Sequence, residues 1–543
     1  MNRRNFLKNT GVTVLGASPL LRIGGGLAVS SQLVSASETF SDYKALVVVF
    51  LDGGNDAMNM FIPTDTDRHS EYEAIRGIGE MAISKTNLDD ATLKTVNGHY
   101  VKETDVAHPY YDEPQAGDSL STSAERSYRK GSYHLKNRDG NFAGMGINSM
   151  MPELASMYKN GKVAIISNVG TLVKPVTKTE IENKTAELPV FLFAHNHQKR
   201  AIYTGQAEQL ATIGWAGKIA DAWQVNEPVG LNLTYGDVTT LQIGKATAPM
   251  KMATSTPPSF ETDFTNPDAV RVAKFENLLN DFNEITGDNA FANYYGRNIK
   301  RAGELSTLLT NSMKSAPDFS TFTAKNSYGQ PLFTFEKDDS EEKFTRDILG
   351  LKMHDDVRDG IFKEFEAAAK MIKVGKDQLS YKRQIIYVRM GGYDFHSSQA
   401  TNQLNNLRSL SLAISDFQKA LEEMGLDDKV LTVSLSDFGR TLLNNSDGTD
   451  HGWGGHSFMM SGDPAFQGGN VLGTVLDDLT LDGKNCHTQK GRIIPTTSIE
   501  QMLAPALNWF GVSNSLLPTI LPNLQNFKTD DTMESAFLQN MFV

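Results

Sequence analysis

Four short segments of the chain are dense in β-branched and other apolar residues: Lys44–Leu51, Lys162–Val169, Gln384–Met390 and Lys429–Ser436. Segments of that length and composition read as strands buried on both faces of a parallel sheet. Between them lie stretches with apolar positions at helical spacing, among them Ile147–Tyr158, Ala269–Ile285, Val357–Val374 and the run carrying Leu404, Leu407, Leu410 and Leu412. Strands alternating with helices predict an α/β fold. Two regions break the pattern. Residues 72–142 are polar with poor periodicity, which predicts an insertion. Residues 226–382 mix Thr- and Pro-rich segments with helical ones, which predicts a second, largely helical insertion.

The ends of the predicted strands carry the chemistry. The first runs into Asp52-Gly53-Gly54-Asn55-Asp56, the third into Gly391-Gly392-Tyr393-Asp394-Phe395-His396, and the fourth into Asp437-Phe438-Gly439-Arg440-Thr441. Asp450-His451 and Gly455-His456 follow shortly, and Phe193-Ala194-His195-Asn196-His197 stands after the second strand. In open α/β sheets ligands bind outside the carboxyl ends of the strands. Carboxylates and neutral imidazoles gathered there supply the lone pairs a divalent metal needs. Asp52, Asp394, His396, Asp437, His451 and His456 are therefore the expected metal ligands, and zinc, manganese, magnesium and calcium each tolerate part of that set. Taken singly, Asp52-Gly53 is also a plain turn, with Asn55 or Asp56 capping a helix.

The amino terminus sets an expected compartment. Met1-Asn2-Arg3-Arg4-Asn5-Phe6-Leu7-Lys8 followed by a modestly apolar stretch reads as a twin-arginine export signal, with cleavage near Ala36. On that reading residues 1–36 are the signal and residues 37–543 form one α/β domain with the two insertions. The twin-arginine translocase would be the partner during export, and the mature protein would be periplasmic or extracellular. No later stretch reaches the roughly 18 consecutive apolar residues that cross a bilayer, so no transmembrane segment is expected in the mature chain. A net charge of −12 without a basic run disfavours nucleic acid as a partner. A single cysteine, Cys486, excludes an intramolecular disulfide.

The Arg pair, Leu51-Asp52-Gly53-Gly54-Asn55-Asp56, Phe193-Ala194-His195-Asn196, Gly392-Tyr393-Asp394-Phe395-His396, Ser436-Asp437-Phe438-Gly439-Arg440-Thr441, Asp450-His451 and Gly491–Ser498 occur in that order. Together they resemble the twin-arginine-exported domain-of-unknown-function family 1501, of the alkaline phosphatase and sulfatase superfamily. The resemblance implies a doubly wound, mostly parallel sheet with helices on both faces, and Asp52, Asp394 and Asp437 as ligands at successive strand ends. It implies a metal-dependent hydrolase of phosphate or sulfate esters, with His195 as nucleophile or base and Asn55, Asn196 and Arg440 contacting the substrate. Arg440 is equally suited to pairing with a neighbouring carboxylate.

Two departures stand against a working hydrolase of that superfamily. Such enzymes place a hydroxyl or modified Cys at a helix start about ten residues before a Thr-Gly pair. Counting back from Thr204-Gly205 lands on Ala194-His195. Asp437 is followed by Phe438 where a His is usual, so a two-metal site would lose a ligand unless His451 or His456 replaces it. A noncatalytic exported protein that binds a metal, an anion or an envelope polymer therefore stays open beside the hydrolase. So does a structural envelope protein whose motif residues satisfy one another.

Overall fold

The computed structural model describes residues 40–77, 81–85, 87, 93–96, 99–102, 131–223, 232–252, 254, 308–309, 311–327, 329–334 and 359–543. The expected export signal and the predicted helix at 269–285 lie outside the described residues.

The main sheet contains β1 (Lys44–Leu51), β2 (Val163–Gly170), β3 (Asn232–Thr234), β4 (Met250–Lys251), β5 (Arg383–Met390), β6 (Val430–Ser436), β7 (Gly455–Met460), β8 (Val471–Gly473) and β9 (Thr497–Ser498). Their order is β8-β2-β7-β6-β1-β5-β3-β4, with β9 also pairing β2. Every pairing is parallel except those of β7, which runs antiparallel to both β6 and β2. β1 lies between β5 and β6, matched residue for residue from Lys44 opposite Arg383 to Leu51 opposite Met390. The ends of β1, β5 and β6 therefore lie level on one edge.

Period-two alternation divides β1 between two cores. Ala45, Val47, Val49 and Leu51 enter one, and Leu46, Val48 and Phe50 the other. All are almost wholly buried, and each large apolar side chain so placed contributes about 1.5–3 kcal/mol. The first core is covered by α1 (Pro152–Lys159), α4 (Asp359–Asp377) and α5 (Gln399–Glu423). The second is covered by α2 (His195–Thr204), α3 (Trp215–Trp223) and α6 (Ile499–Phe510). Helices on both faces of a mostly parallel sheet are the doubly wound α/β arrangement.

Local chemistry sets several boundaries. α6 opens on a reciprocal cap between Ser498 and Gln501 and stops at Gly511, which takes a φ of +116°. α1 begins at Pro152, whose missing N–H belongs naturally in a first turn. Ile147 and Asn148, expected to open that helix, instead end a strand, Phe142–Asn148, of a small antiparallel sheet with Phe61–Pro63 and Ser132–Lys136. The start of the region expected as an insertion at 72–142 is tied to the main body. Tyr72 and Arg76 are fully buried, and Arg76 forms a double hydrogen bond to buried Asp56 at 2.5 and 2.9 Å. In the region expected to be largely helical, β3 and β4 belong to the main sheet. They are three and two residues long, too short to show a strand period.

No helix among the described residues is long and apolar enough to cross a membrane. Cys486 is buried, which pushes its thiol up to about 12, so it is an unreactive core residue.

Candidate metal centre

Four side chains meet on the edge where β1, β5 and β6 end. His195 is the first residue of α2, Asp394 and His396 follow β5, and His451 closes the strand Thr449–His451, which pairs with Arg440–Asn444. His195 Nε2 lies 3.0 Å from His451 Nε2, and His396 Nε2 lies 2.9 Å from the same atom. Asp394 Oδ1 is 3.1 Å from His396 Nε2 and 3.3 Å from His451 Nε2, and its Oδ2 is 3.5 Å from His195 Nε2.

The opposite ring nitrogens explain why the Nε2 atoms of His195 and His451 can face one another. His195 Nδ1 donates to Asp437 Oδ2 at 2.7 Å, and His451 Nδ1 donates to the Phe193 carbonyl at 2.9 Å. His396 Nδ1 faces Asp450 Oδ1 more loosely, at 3.5 Å. A proton used on Nδ1 leaves a lone pair on Nε2, so His195 and His451 both turn acceptors toward the cluster. Burial, with the neighbouring His195 and Arg440 adding to it, keeps the His451 pKa below its usual value and favours the neutral ring. Acceptors this close repel one another unless a cation lies among them. Bonds of 2.0–2.1 Å to a tetrahedral ion place ligand atoms about 3.3 Å apart, close to the spacings among His195, Asp394 and His451, whose ligand atoms all lie within 4.8 Å of one another, with His396 at the rim. The donor set thus fits a divalent ion, and its nitrogen content suits zinc or another transition metal better than magnesium or calcium.

The surroundings hold these groups in place. Arg440 is fully buried and donates to Asp394 Oδ1 at 2.9 Å and to the Thr449 carbonyl and hydroxyl. Burial is the largest single influence on the Asp394 pKa and works to raise it, but the hydrogen bond and charge of Arg440, together with His195 and His396, jointly keep the carboxyl below the usual range. Phe438 packs its ring 4.6 Å from that of His195 and 4.8 Å from that of His451. Phe193 has a φ of +73° and Phe191 one of +51°, conformations that cost a non-glycine residue about 1–3 kcal/mol each. The twist at Phe193 accompanies the carbonyl that holds His451. Asp437 is wholly buried beneath the cluster, whereas Asp394 and His396 are each 47% exposed, so the centre opens to solvent on that side.

The expected site residues therefore separate. His195, Asp394, His396 and His451 come together, and Asp437 supports His195 from behind. Asp52, expected as the first ligand, lies outside the cluster because cations occupy it: Lys199 Nζ lies 2.8 Å from Oδ1, and Arg389 Nε 2.7 Å from Oδ2. Burial alone would raise the Asp52 pKa, but the hydrogen bonds from Lys199 and Arg389 hold it below the usual carboxylate range. His456, also expected as a ligand, lies half-buried elsewhere. Its Nδ1 accepts from the Asn168 N–H at 3.1 Å and its Nε2 faces Met58 Sδ at 3.1 Å, so neither nitrogen is available. Asn55 is buried, its amide nitrogen 3.2 Å from Met60 Sδ, and does not face the opening. Asn196 is exposed in the first turn of α2. The donors of Arg440 go to Asp394 and Thr449, which is the pairing role and leaves no anion clamp. Lys199, Arg389, Asp450 and the Phe193 carbonyl were missed. The signal available for Lys199 was its i, i+4 spacing from His195, which places both on one helix face.

Among curated proteins no similar sequence was found. Solved structures similar to this chain include Ps i-CgsB, at 9% identity over 70% of this chain and 72% of that one, with a TM-score of 0.29. The phosphonate monoester hydrolase SpPMH from Silicibacter pomeroyi is similar at 12% identity over 68% and 72% of the two chains, with a TM-score of 0.27. A mutant of the alkaline phosphatase PafA is similar at 10% identity over 74% and 64%, with a TM-score of 0.20. Scores this low add nothing to the chemistry of the site, which rests on the geometry above. Residues 366–485, the stretch that carries Asp394, His396, Asp437 and His451, match the model of the family described as Protein of unknown function (DUF1501).

Proposed function

We propose that the protein is an exported, metal-dependent hydrolase of small anionic esters of the phosphate, phosphonate or sulfate kind. The observation that carries this reading is the convergence of the His195 and His451 Nε2 atoms and the Asp394 carboxylate on a solvent-open strand edge, with His396 beside His451 and Asp394 and with both opposite ring nitrogens of the pair hydrogen-bonded to oxygen. His195, Asp394, His396 and His451 would hold the ion. When bound, it supplies Lewis acidity to an ester oxygen and to water.

The remaining steps belong to the chain's own groups. Asp437 and the Phe193 carbonyl orient two of the imidazoles, and Arg440 fixes the Asp394 carboxylate, so the donor set is organised before substrate arrives. Ala194 precedes α2 where a hydroxyl nucleophile would stand, and the Nε2 of His195 faces the cluster. Both features favour direct attack by water over a covalent enzyme intermediate. Hydrolysis of aryl phosphate, phosphonate and sulfate esters by protein loaded with zinc or manganese tests the reading. Turnover of one class that disappears on chelation and returns with metal supports it, whereas a loaded protein inert toward all three contradicts it.

A second reading, a noncatalytic envelope protein that binds a metal, an anion or a polymer, is favoured by the same absence of a hydroxyl at Ala194. Inertness of the loaded protein would support that reading. Export by the twin-arginine translocase is part of the proposal and rests on Arg3-Arg4 and the residues that follow. Replacing both by Lys would leave the protein in the cytoplasm, whereas continued export would point to another route.

A further inference from the structure

We infer that the centre holds one ion and not two, because the position a second ion would need at Asp52 is filled by the chain's own cations. This rests on the metal-centre reading above. Asp52 and Asp437 leave adjacent strands, and the Gly53 N–H donates to Asp437 Oδ1 at 3.0 Å, so the two carboxylates are neighbours across the strand ends. Between them lies the Lys199 ammonium, 2.8 Å from Asp52 Oδ1 and 3.9 Å from Asp437 Oδ2. The Arg389 guanidinium takes the other Asp52 oxygen through Nε and Nη2. Asp437 has no oxygen left over either, since Oδ2 holds His195 and Oδ1 holds Gly53. An ion placed here would have to displace a bidentate guanidinium and an ammonium from a carboxylate already satisfied by both.

Charge balance leads to the same result. Asp52, Asp394 and Asp437 are matched by Lys199, Arg389 and Arg440, and the outlying Asp450 by Lys490 at 2.5 Å. Arg492, whose Nε donates to the His451 carbonyl at 2.9 Å, adds a further positive charge, so no carboxylate of the cluster is left unpaired to offset a second ion.

The test is the zinc stoichiometry of the full chain, titrated with Zn²⁺ alone and read by elemental mass spectrometry, together with X-ray absorption at the zinc edge. One ion per chain with three imidazoles in its coordination shell is expected. Asp52→Asn should still bind one ion, with affinity within about threefold of wild type, whereas Asp394→Asn should lose at least tenfold. Two ions in the wild type, or loss of an ion in a folded Asp52→Asn variant, would overturn the single-ion inference and leave the metal centre standing. No ion in the wild type would overturn both. If Asp52→Asn does not fold, the wild-type stoichiometry and imidazole count still decide the matter.

Discussion

His195 Nδ1 lies 2.7 Å from Oδ2 of Asp437, a residue 242 positions away and wholly buried at the end of the neighbouring strand layer. This bond fixes the tautomer that turns Nε2 toward Asp394 and His451. An Asn at 437 keeps the shape but removes the charge and permits its amide to face the ring. Asp437→Asn is therefore expected to weaken Zn²⁺ binding about 10–100-fold while the fold is retained, measured by competition with a chromogenic chelator. Unchanged affinity would mean that Asp437 does not organise the ligand.

Gly53 is required by close approach. A Cβ there would lie 2.5 Å from the Asp394 backbone nitrogen, and its φ is +122°. Gly53→Ala should destabilise the protein by more than about 1 kcal/mol in urea unfolding and displace Asp394, lowering metal affinity as well. At Gly391 a Cβ meets nothing nearer than 4.0 Å. Gly391→Ala should stay within about 0.5 kcal/mol of wild type. Equal stability of the two variants would refute the packing argument.

Arg440 supplies three hydrogen bonds that a lysine cannot reproduce in one geometry. Arg440→Lys is expected to cost about 1–3 kcal/mol of stability, because Thr449 and Asp394 lose partners. Were Arg440 an anion clamp, the substitution would raise KM for an ester and leave stability alone.

Two groups packed into the fold, His456 and Glu500, tilt stability with pH in opposite directions. Burial lowers the His456 pKa from the usual 6.5 to about 4, so the folded state binds fewer protons than the unfolded chain between those values. Its contribution is fully present above about pH 6.5 and is lost as pH falls toward 4, on the order of 3 kcal/mol. Burial raises the Glu500 carboxyl from 4.5 to about 7, so the folded state there binds more protons. That contribution is present below about pH 4.5 and is lost as pH rises through 7. Glu500→Gln should accordingly stabilise the protein at pH 8 and not at pH 4, as followed by denaturant midpoints. A pH-independent effect would show that Glu500 is not buried as a neutral acid.

The sequence made the centre of the fold legible wherever burial on both sheet faces forces a continuous apolar segment. The expected strands at 44–51, 162–169, 384–390 and 429–436 correspond to β1, β2, β5 and β6 within a residue at each end. β3 and β4 were not legible, because two- and three-residue strands carry no period. At the site, residue types at strand ends pointed to Asp394, His396 and His451, and the count back from Thr204-Gly205 located the start of α2 at His195. What separates Asp52 and His456 from that group could not be read from spacing. Lys199 and Arg389 reach Asp52 across 147 and 337 positions, and Asn168 reaches His456 across 288. Such partners are set by how the strands are ordered in the sheet, and no local pattern records them.

The central claim is that His195, His396, His451 and Asp394 hold a metal ion, and the most direct measurement is the ion content of wild-type and His451→Ala protein purified without chelator. The account predicts bound divalent transition metal in the wild type and its loss in a variant that remains folded. A folded wild type free of metal after exposure to zinc and manganese, or an ion retained in full by His451→Ala, would contradict it.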